Sequence, residues 1–144
     1  MRAFASSWQL WALASAAFAA LTAIFAKVGV VNVSSDFATL VRTVVIFLAL
    51  TAIVVGTGQW QALGSVSGRS YLFLILSGLA TGGSWLCYFR ALKLGEAARV
   101  APVDKLSVVL VAIFGAIFLG ERLSAPNWLG VALIAAGAVL VALG

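Results

Sequence analysis

Three ionisable side chains lie inside otherwise apolar stretches of this sequence: Arg42, Asp104 and Lys105. A charge at the centre of a membrane span costs about 2.5–3.5 kcal/mol on insertion scales, so such residues usually serve a function. A carboxylate such as that of Asp104 can carry a proton or bind a cation. We therefore predict that these three residues contact a substrate or a proton. For Arg42 the competing interpretation is structural, with a side chain that snorkels or forms an ion pair with Asp36 or Asp104.

A stripe of hydroxyl and aromatic side chains could line the path of a small molecule. It consists of Ser77, Thr81, Ser84 and Tyr88, with Trp85 beside it. The spacing of i, i+4, i+7 and i+11 places the four hydroxyl groups along one face of a helix. Hydroxyl groups next to inward-facing aromatic rings suit a small-molecule pocket. We predict that the stripe and Trp85 bind substrate.

Other classes of chemistry lack the residues they need. The chain has no histidine, which is the commonest metal ligand and general base, and it has a single cysteine, Cys87. It has no glycine-rich phosphate loop and no motif of a serine nucleophile with a base. We therefore expect no enzymatic activity, no metal and no cofactor. The nine Lys and Arg are scattered along the chain, which argues against a nucleic-acid partner.

The elements that must position these residues are membrane helices. The chain is 64% hydrophobic and 9% charged, whereas soluble domains carry about 25% charged residues. A membrane-spanning helix needs about 20 apolar residues, and five stretches qualify. They run roughly over residues 8–26, 37–55, 70–92, a fourth that ends near 119, and 125–143. The first stretch is longer than the apolar run of a signal peptide, which is about 7–15 residues. We therefore expect it to be a membrane span rather than a cleaved signal peptide.

These stretches are long and do not alternate, and lipid admits only helices or closed barrels, so they predict helices. We expect an all-α membrane protein, a bundle of five transmembrane helices that forms one domain over residues 1–144. We expect it to be a multi-pass integral protein of the cytoplasmic membrane, in contact with the lipid bilayer.

The start of the fourth helix has two possible positions. If the helix begins at Glu96, Pro102 lies inside it and frees the carbonyl of Ala98, and Asp104 lies about 12 Å deep. If the helix begins at Pro102, Asp104 is a carboxylate of the first turn, where the helix dipole favours a negative charge. The sequence alone leaves both positions open.

The charges that decide membrane orientation are nearly balanced. Five spans put the two termini on opposite faces of the membrane. The N-terminal face holds Arg2, Arg69 and Arg122, and the other face holds Lys27, Arg90, Lys93 and Arg99. The positive-inside rule favours the second face as cytoplasmic by four charges to three, or by six to three if Arg42 and Lys105 inside the spans are counted. A bias this small predicts insertion in both orientations.

Two long segments resemble the EamA domain of the drug/metabolite transporter superfamily. They are "GLATGGSWLCYFRALKLGEAARVAPVDKLSVVL" and "FLGERLSAPNWLGVALIAAGAVLVAL". Within them "ALKLGEA", "APVDKLSVV" and "LGERLS" are the specific parts, and the chain is most similar to the short, single-domain bacterial/archaeal transporter group. The resemblance implies a five-helix bundle, transport of a small metabolite, and a fourth helix that begins near Glu96.

The chain differs from many EamA proteins in size, because those hold two such domains in ten helices. To build an inverted-repeat pathway, two copies must meet in opposite orientations. We therefore interpret the chain as a secondary transporter that exports a small metabolite or drug-like molecule by alternating access. It would act as a homodimer, for which the charge bias permits an antiparallel arrangement. The alternative is a non-transporting membrane subunit that packs against a larger partner.

Overall fold

The computed structural model describes residues 7–144. Within this range five helical stretches are long and apolar enough to cross a membrane. They are Trp8–Gly29, Ser35–Gly56, Gly68–Leu94, Ala97–Leu119 and Ala125–Leu143. No β-strand occurs among the described residues. The predicted all-α membrane protein with five spans is confirmed. Arg2, which entered the charge balance, lies outside the described residues.

We number the regular helices in chain order. They are α1 (Trp8–Gly29), α2 (Ser35–Gly56), α3 (Gly68–Leu94), α4 (Ala97–Asp104), α5 (Ser107–Phe114) and α6 (Ala125–Leu143). The predicted bounds of α6 match, and the other predicted ends lie within three residues. Ser34 caps α2, because its hydroxyl oxygen accepts a hydrogen bond from the Phe37 amide at 3.3 Å.

The fourth span begins with α4 at Ala97, and Glu96 is its N-cap. This resolves the two possible starts in favour of Glu96, so Pro102 lies inside the helix. A proline has no amide hydrogen to donate, and the helix ends two residues later, at Asp104. The Leu106 amide then donates to the Val103 carbonyl at 3.0 Å, a tighter three-residue turn. A break of two residues therefore separates α4 from α5.

The same span ends in a π-helical turn, Gly115–Leu119. Gly120 follows with a φ of 69°, a left-handed conformation that favours glycine, and the Glu121 amide donates to the Gly115 carbonyl at 3.1 Å. The Glu121 carboxylate folds back over Gly115, where a β-carbon would lie 2.6 Å from Oε2.

The chain forms two compact units. The central unit is Ala26–Lys93, and the terminal unit combines the described part of residues 1–25 with residues 94–144. In the terminal unit, α4 and α5 both pack along α6, and Arg99 donates from Nη2 to the Ala142 carbonyl at 3.1 Å. The single-domain organisation stays a prediction.

Candidate substrate site

Arg42 and Trp85 form the centre of the candidate site in the central unit. Arg42 lies on α2, seven residues after the helix begins, which is about 10 Å along the axis. Its guanidinium carbon Cζ lies 3.2 Å from the centroid of the Trp85 ring on α3. Both side chains are half-buried. A cation on an indole face gains about 0.5–1 kcal/mol in water and about 2 kcal/mol where water is excluded.

Two further aromatic rings extend this platform along α3. The Tyr88 ring meets Trp85 edge-on, with centroids 5.6 Å apart and planes at 82°. The Phe89 ring lies 5.9 Å from that of Trp85 and 5.9 Å from Arg42 Cζ, and Phe89 is buried. We had not predicted Phe89, although its spacing of four residues from Trp85 is the signal that could have found it.

No carboxylate of the central unit neutralises Arg42. Asp36 is the only acidic residue between positions 26 and 93, and it pairs with Arg90 at 3.6 Å. The Ser35 hydroxyl also donates to Asp36 Oδ1 at 2.9 Å. The competing interpretation in which Asp36 pairs with Arg42 is therefore wrong. Within this unit Arg42 keeps its positive charge.

The hydroxyl stripe lies on the exposed surface of α3, before the aromatic platform. Ser84 directly precedes Trp85, Thr81 lies one turn earlier, and Ser77 lies about 12 Å away along the axis. The Thr81 hydroxyl donates to the Ser77 carbonyl at 2.8 Å, so its hydrogen serves the helix and only its lone pairs can meet a ligand. The stripe offers mainly acceptors at Thr81, and both donors and acceptors at the two serines.

Lysine side chains fix the ends of the helices that carry this site. The Lys27 ammonium donates to the Leu92 carbonyl at 2.6 Å, and the Lys93 ammonium donates to the Val33 carbonyl at 3.0 Å. Cations favour the last turn of a helix, which is where both residues lie. These contacts join the end of α3 to the last turn of α1 and to the residue just before the Ser34 cap of α2. The sequence did not reveal them.

Asp104 and Lys105 form a separate pair in the terminal unit. Asp104 is the last residue of α4, and its Oδ2 lies 3.2 Å from Lys105 Nζ. Their side chains are 35% and 54% exposed, respectively. Adjacent opposite charges cancel, so this pair presents little net charge while its carboxylate stays accessible to a proton. No group of three metal-ligating side chains is found among residues 7–144.

Gly78 and Gly82 lie on α3 with open space around them. Apart from the adjoining backbone of α3 itself, no described atom lies within 4 Å of a β-carbon built at either position. Small residues at this spacing let helices approach closely, and among the described residues no neighbour does so.

The sequence is similar to a transporter family and to two proteins that are named uncharacterized transporters. It matches the EamA-like transporter family over residues 6–143. It is 71% identical over 136 residues to an "Uncharacterized transporter in cobO 3'region" of Sinorhizobium sp, covering 94% of this chain and 96% of that protein. It is 27% identical over 135 residues to an "Uncharacterized transporter" of Vibrio cholerae, covering 92% of this chain but 41% of that protein. No solved structure matches.

Proposed function

Since the chain belongs to the EamA-like transporter family, we propose that it is a secondary transporter that exports a small metabolite or drug-like molecule across the cytoplasmic membrane. The contact that carries this proposal is Arg42 on Trp85, with Cζ 3.2 Å from the ring centroid. A charged group at such depth in an apolar span is costly to insert, and one held on an aromatic platform is suited to bind a solute.

The two charged sites would have different roles in one transport cycle. In the central unit Arg42 and the aromatic platform would bind the solute, while Ser77, Thr81 and Ser84 line its path. In the terminal unit Asp104 would take up and release a proton or a cation, and Lys105 would hold the carboxylate when it is charged. Alternating access would then expose the sites to each side of the membrane in turn.

A homodimer would supply the second half of the pathway. The matched region spans only 41% of the Vibrio cholerae relative, which leaves more than half of that protein for further structure. A second copy of this chain could take the corresponding place, and the open space at Gly78 and Gly82 would admit a helix from it. Because five spans are an odd number, only an antiparallel pair reproduces an inverted repeat.

Transport is tested by what crosses the membrane when the protein is present. The concentrations of metabolites are measured inside and outside cells. They should differ between cells that carry the wild-type protein and cells that carry the Trp85→Ala variant. The matched control is Trp60→Ala, which removes an exposed tryptophan outside the spans and should behave as wild type.

Solvent access distinguishes a transporter from a non-transporting subunit. With Cys87 replaced by alanine, single cysteines at positions 81, 84 and 104 should react with a membrane-impermeant maleimide. Three unreactive positions together with unchanged metabolites would instead identify a subunit that packs against a larger partner.

The antiparallel arrangement is tested with a C-terminal reporter scored on both sides of the membrane. Wild type should show both orientations, because the bias in Lys and Arg is a single charge. Neutralising Arg90, Lys93 and Arg99 should put the N-terminal face in the cytoplasm in nearly all molecules. Adding three lysines to the 56–68 loop should do the same, whereas adding them to the C-terminus should favour the opposite orientation. A single orientation in wild type would reject the antiparallel dimer.

A further inference from the structure

We infer that the Arg42 site binds a monoanionic organic solute and that the guanidinium group of Arg42 holds the carboxylate of that solute. This inference rests on the proposed function, since it names the class of compound that the same site would take. It follows from the charge of the central unit, from the way Arg42 is stacked, and from the number of charges the site can balance.

Arg42 has no counterion within the central unit. The one carboxylate of this unit, Asp36, already pairs with Arg90, and the Lys27 and Lys93 ammonium groups donate to backbone carbonyls. Arg42 lies over aromatic rings and has no ion pair or side-chain hydrogen bond with another described residue of this unit. A ring attracts a cation but does not cancel its charge, so a bound anion would remove the cost of holding an unbalanced cation.

The stacking of Arg42 leaves its hydrogen-bonding edge available. At 3.2 Å from the ring centroid, Cζ makes face contact with Trp85. The five N–H groups of a guanidinium lie in its own plane, so face contact does not consume them. Their fork geometry matches the two oxygens of a carboxylate, and the stacked ring holds the fork in place before the solute arrives. The site is therefore organised to bind a planar oxyanion.

The single positive charge selects between carboxylates and phosphates. A carboxylate carries one negative charge at neutral pH, whereas a phosphate monoester carries about 1.5–2. Arg42 can balance the first. The excess charge of the second would enter an apolar span where the Trp85, Tyr88 and Phe89 rings beside Arg42 offer no further cation. The half-buried Tyr88 ring would face the apolar body of the solute. The favoured ligand is a carboxylate with an apolar or aromatic body.

The test is a binding measurement that does not depend on transport. In the full chain, the tryptophans at positions 8, 11, 60 and 128 are replaced by phenylalanine, which leaves Trp85 as the only indole. The protein is placed in phosphatidylcholine vesicles and titrated with benzoate, benzamide, phenyl phosphate and benzylamine. Benzoate should change the Trp85 emission saturably. Phenyl phosphate should bind about tenfold more weakly, and the neutral amide and the cation should have no effect.

Two substitutions connect the response to Arg42. Arg42→Gln should weaken benzoate binding by about 10- to 100-fold, the loss expected for a charged hydrogen bond. The matched control is Arg69→Gln, which removes the same charge about 24 Å away along α3, beside Phe73. Benzoate binding should survive it. If Arg42→Gln fails to insert, Arg42→Lys keeps the charge, loses the fork, and should bind benzoate about tenfold more weakly.

The outcomes separate this inference from the proposed function. An emission change with benzylamine but not with benzoate, no change with benzoate, or benzoate binding that persists in Arg42→Gln would each overturn the inference. A protein-dependent export of a neutral or cationic compound would then leave the transporter proposal standing. Benzoate binding in vesicles that depends on Arg42 would support the inference. If the metabolite comparison in cells showed no difference at the same time, transport would be rejected while the inference stood.

Discussion

The two charged sites of this chain stabilise a charge within an apolar span in different ways. Arg42 lies about 10 Å into α2 and is stabilised by the face of Trp85, which leaves its charge uncancelled within the central unit. Asp104 lies at the end of α4 and has its counterion in the next residue, Lys105, at 3.2 Å. The first arrangement keeps a charge and the second cancels one.

The difference leads us to expect different chemistry at the two sites. A cation without a carboxylate partner in its own unit suits an anionic solute, which it can hold and release. A partly exposed carboxylate suits a proton or a cation. We therefore expect substitutions at Arg42 to change solute binding, and substitutions at Asp104 to change the coupling to an ion gradient.

The largest effect is expected from Asp104→Asn. An amide cannot ionise, so this variant should lose transport driven by a pH gradient while it inserts as wild type does. The measurement is flux into proteoliposomes of whichever compound the metabolite comparison identifies. Glu96→Gln is the matched control, because it neutralises a carboxylate at the N-cap of α4 without removing a side-chain capping bond. It should keep the flux.

The paired site adds a second requirement. Asp104→Asn leaves the Lys105 ammonium without its partner. Asp104→Asn combined with Lys105→Gln also removes that unpaired charge, and it should still lack coupled flux. Proton-coupled flux that persists in Asp104→Asn would show that the paired site is structural, and the contrast with Arg42 would then lose its basis.

The next effect is expected from Arg42→Lys, which keeps the charge and removes the planar fork. A lysine ammonium is strongly hydrated and cannot bind a carboxylate through two parallel hydrogen bonds. Transport at low solute concentration should fall about tenfold, which corresponds to about 1.4 kcal/mol. The loss should appear in KM rather than in kcat, because the group binds the solute. A fall in kcat alone would assign Arg42 to the conformational cycle instead.

The sequence predicted the elements of this structure better than the contacts between them. The long apolar runs give five spans, and Glu96 is the one of two possible starts of the fourth helix that the structure confirms. These features depend on neighbours along the chain, which are visible in the sequence. The break at residues 105 and 106 and the π-helical turn Gly115–Leu119 were missed, because they depend on local hydrogen-bond adjustments around Pro102 and Gly120.

The pairing of side chains across helices required the structure. Arg42 and Trp85 were both predicted to bind substrate, but their direct contact was not predicted. The sequence fixes the face of a helix on which a residue lies, yet the rotation and shift of one helix against another decide which residues meet. For the same reason Asp36 was offered as a partner for Arg42, whereas the structure pairs it with Arg90.

A smaller effect is expected from Trp85→Phe. Phenylalanine keeps an aromatic face but interacts less strongly with a cation, so part of a contribution of about 0.5–2 kcal/mol is lost. Benzoate affinity should fall about twofold to fivefold, measured by the stabilisation that benzoate gives against thermal unfolding. Trp60→Phe is the control and should change nothing. A Trp85→Phe protein with wild-type affinity would reduce Trp85 to packing and leave Arg42 without its platform.

The smallest effect is expected from the exposed ion pair, which provides a reference for the paired site. Asp36 and Arg90 are 63% and 69% exposed and their atoms lie 3.6 Å apart, so their coupling should be below about 1 kcal/mol and should weaken further with salt. The measurement is a double-mutant cycle of Asp36→Asn and Arg90→Gln on thermal stability in detergent, compared with the cycle of Asp104→Asn and Lys105→Gln.

The second pair, Asp104 and Lys105, is less exposed, at 35% and 54%, and its atoms are 3.2 Å apart. Its coupling should therefore be the larger and should resist salt. Equal, salt-sensitive couplings would mean that the Asp104 carboxylate is as accessible to water as that of Asp36. That result would argue against Asp104 as the residue that carries the coupling proton.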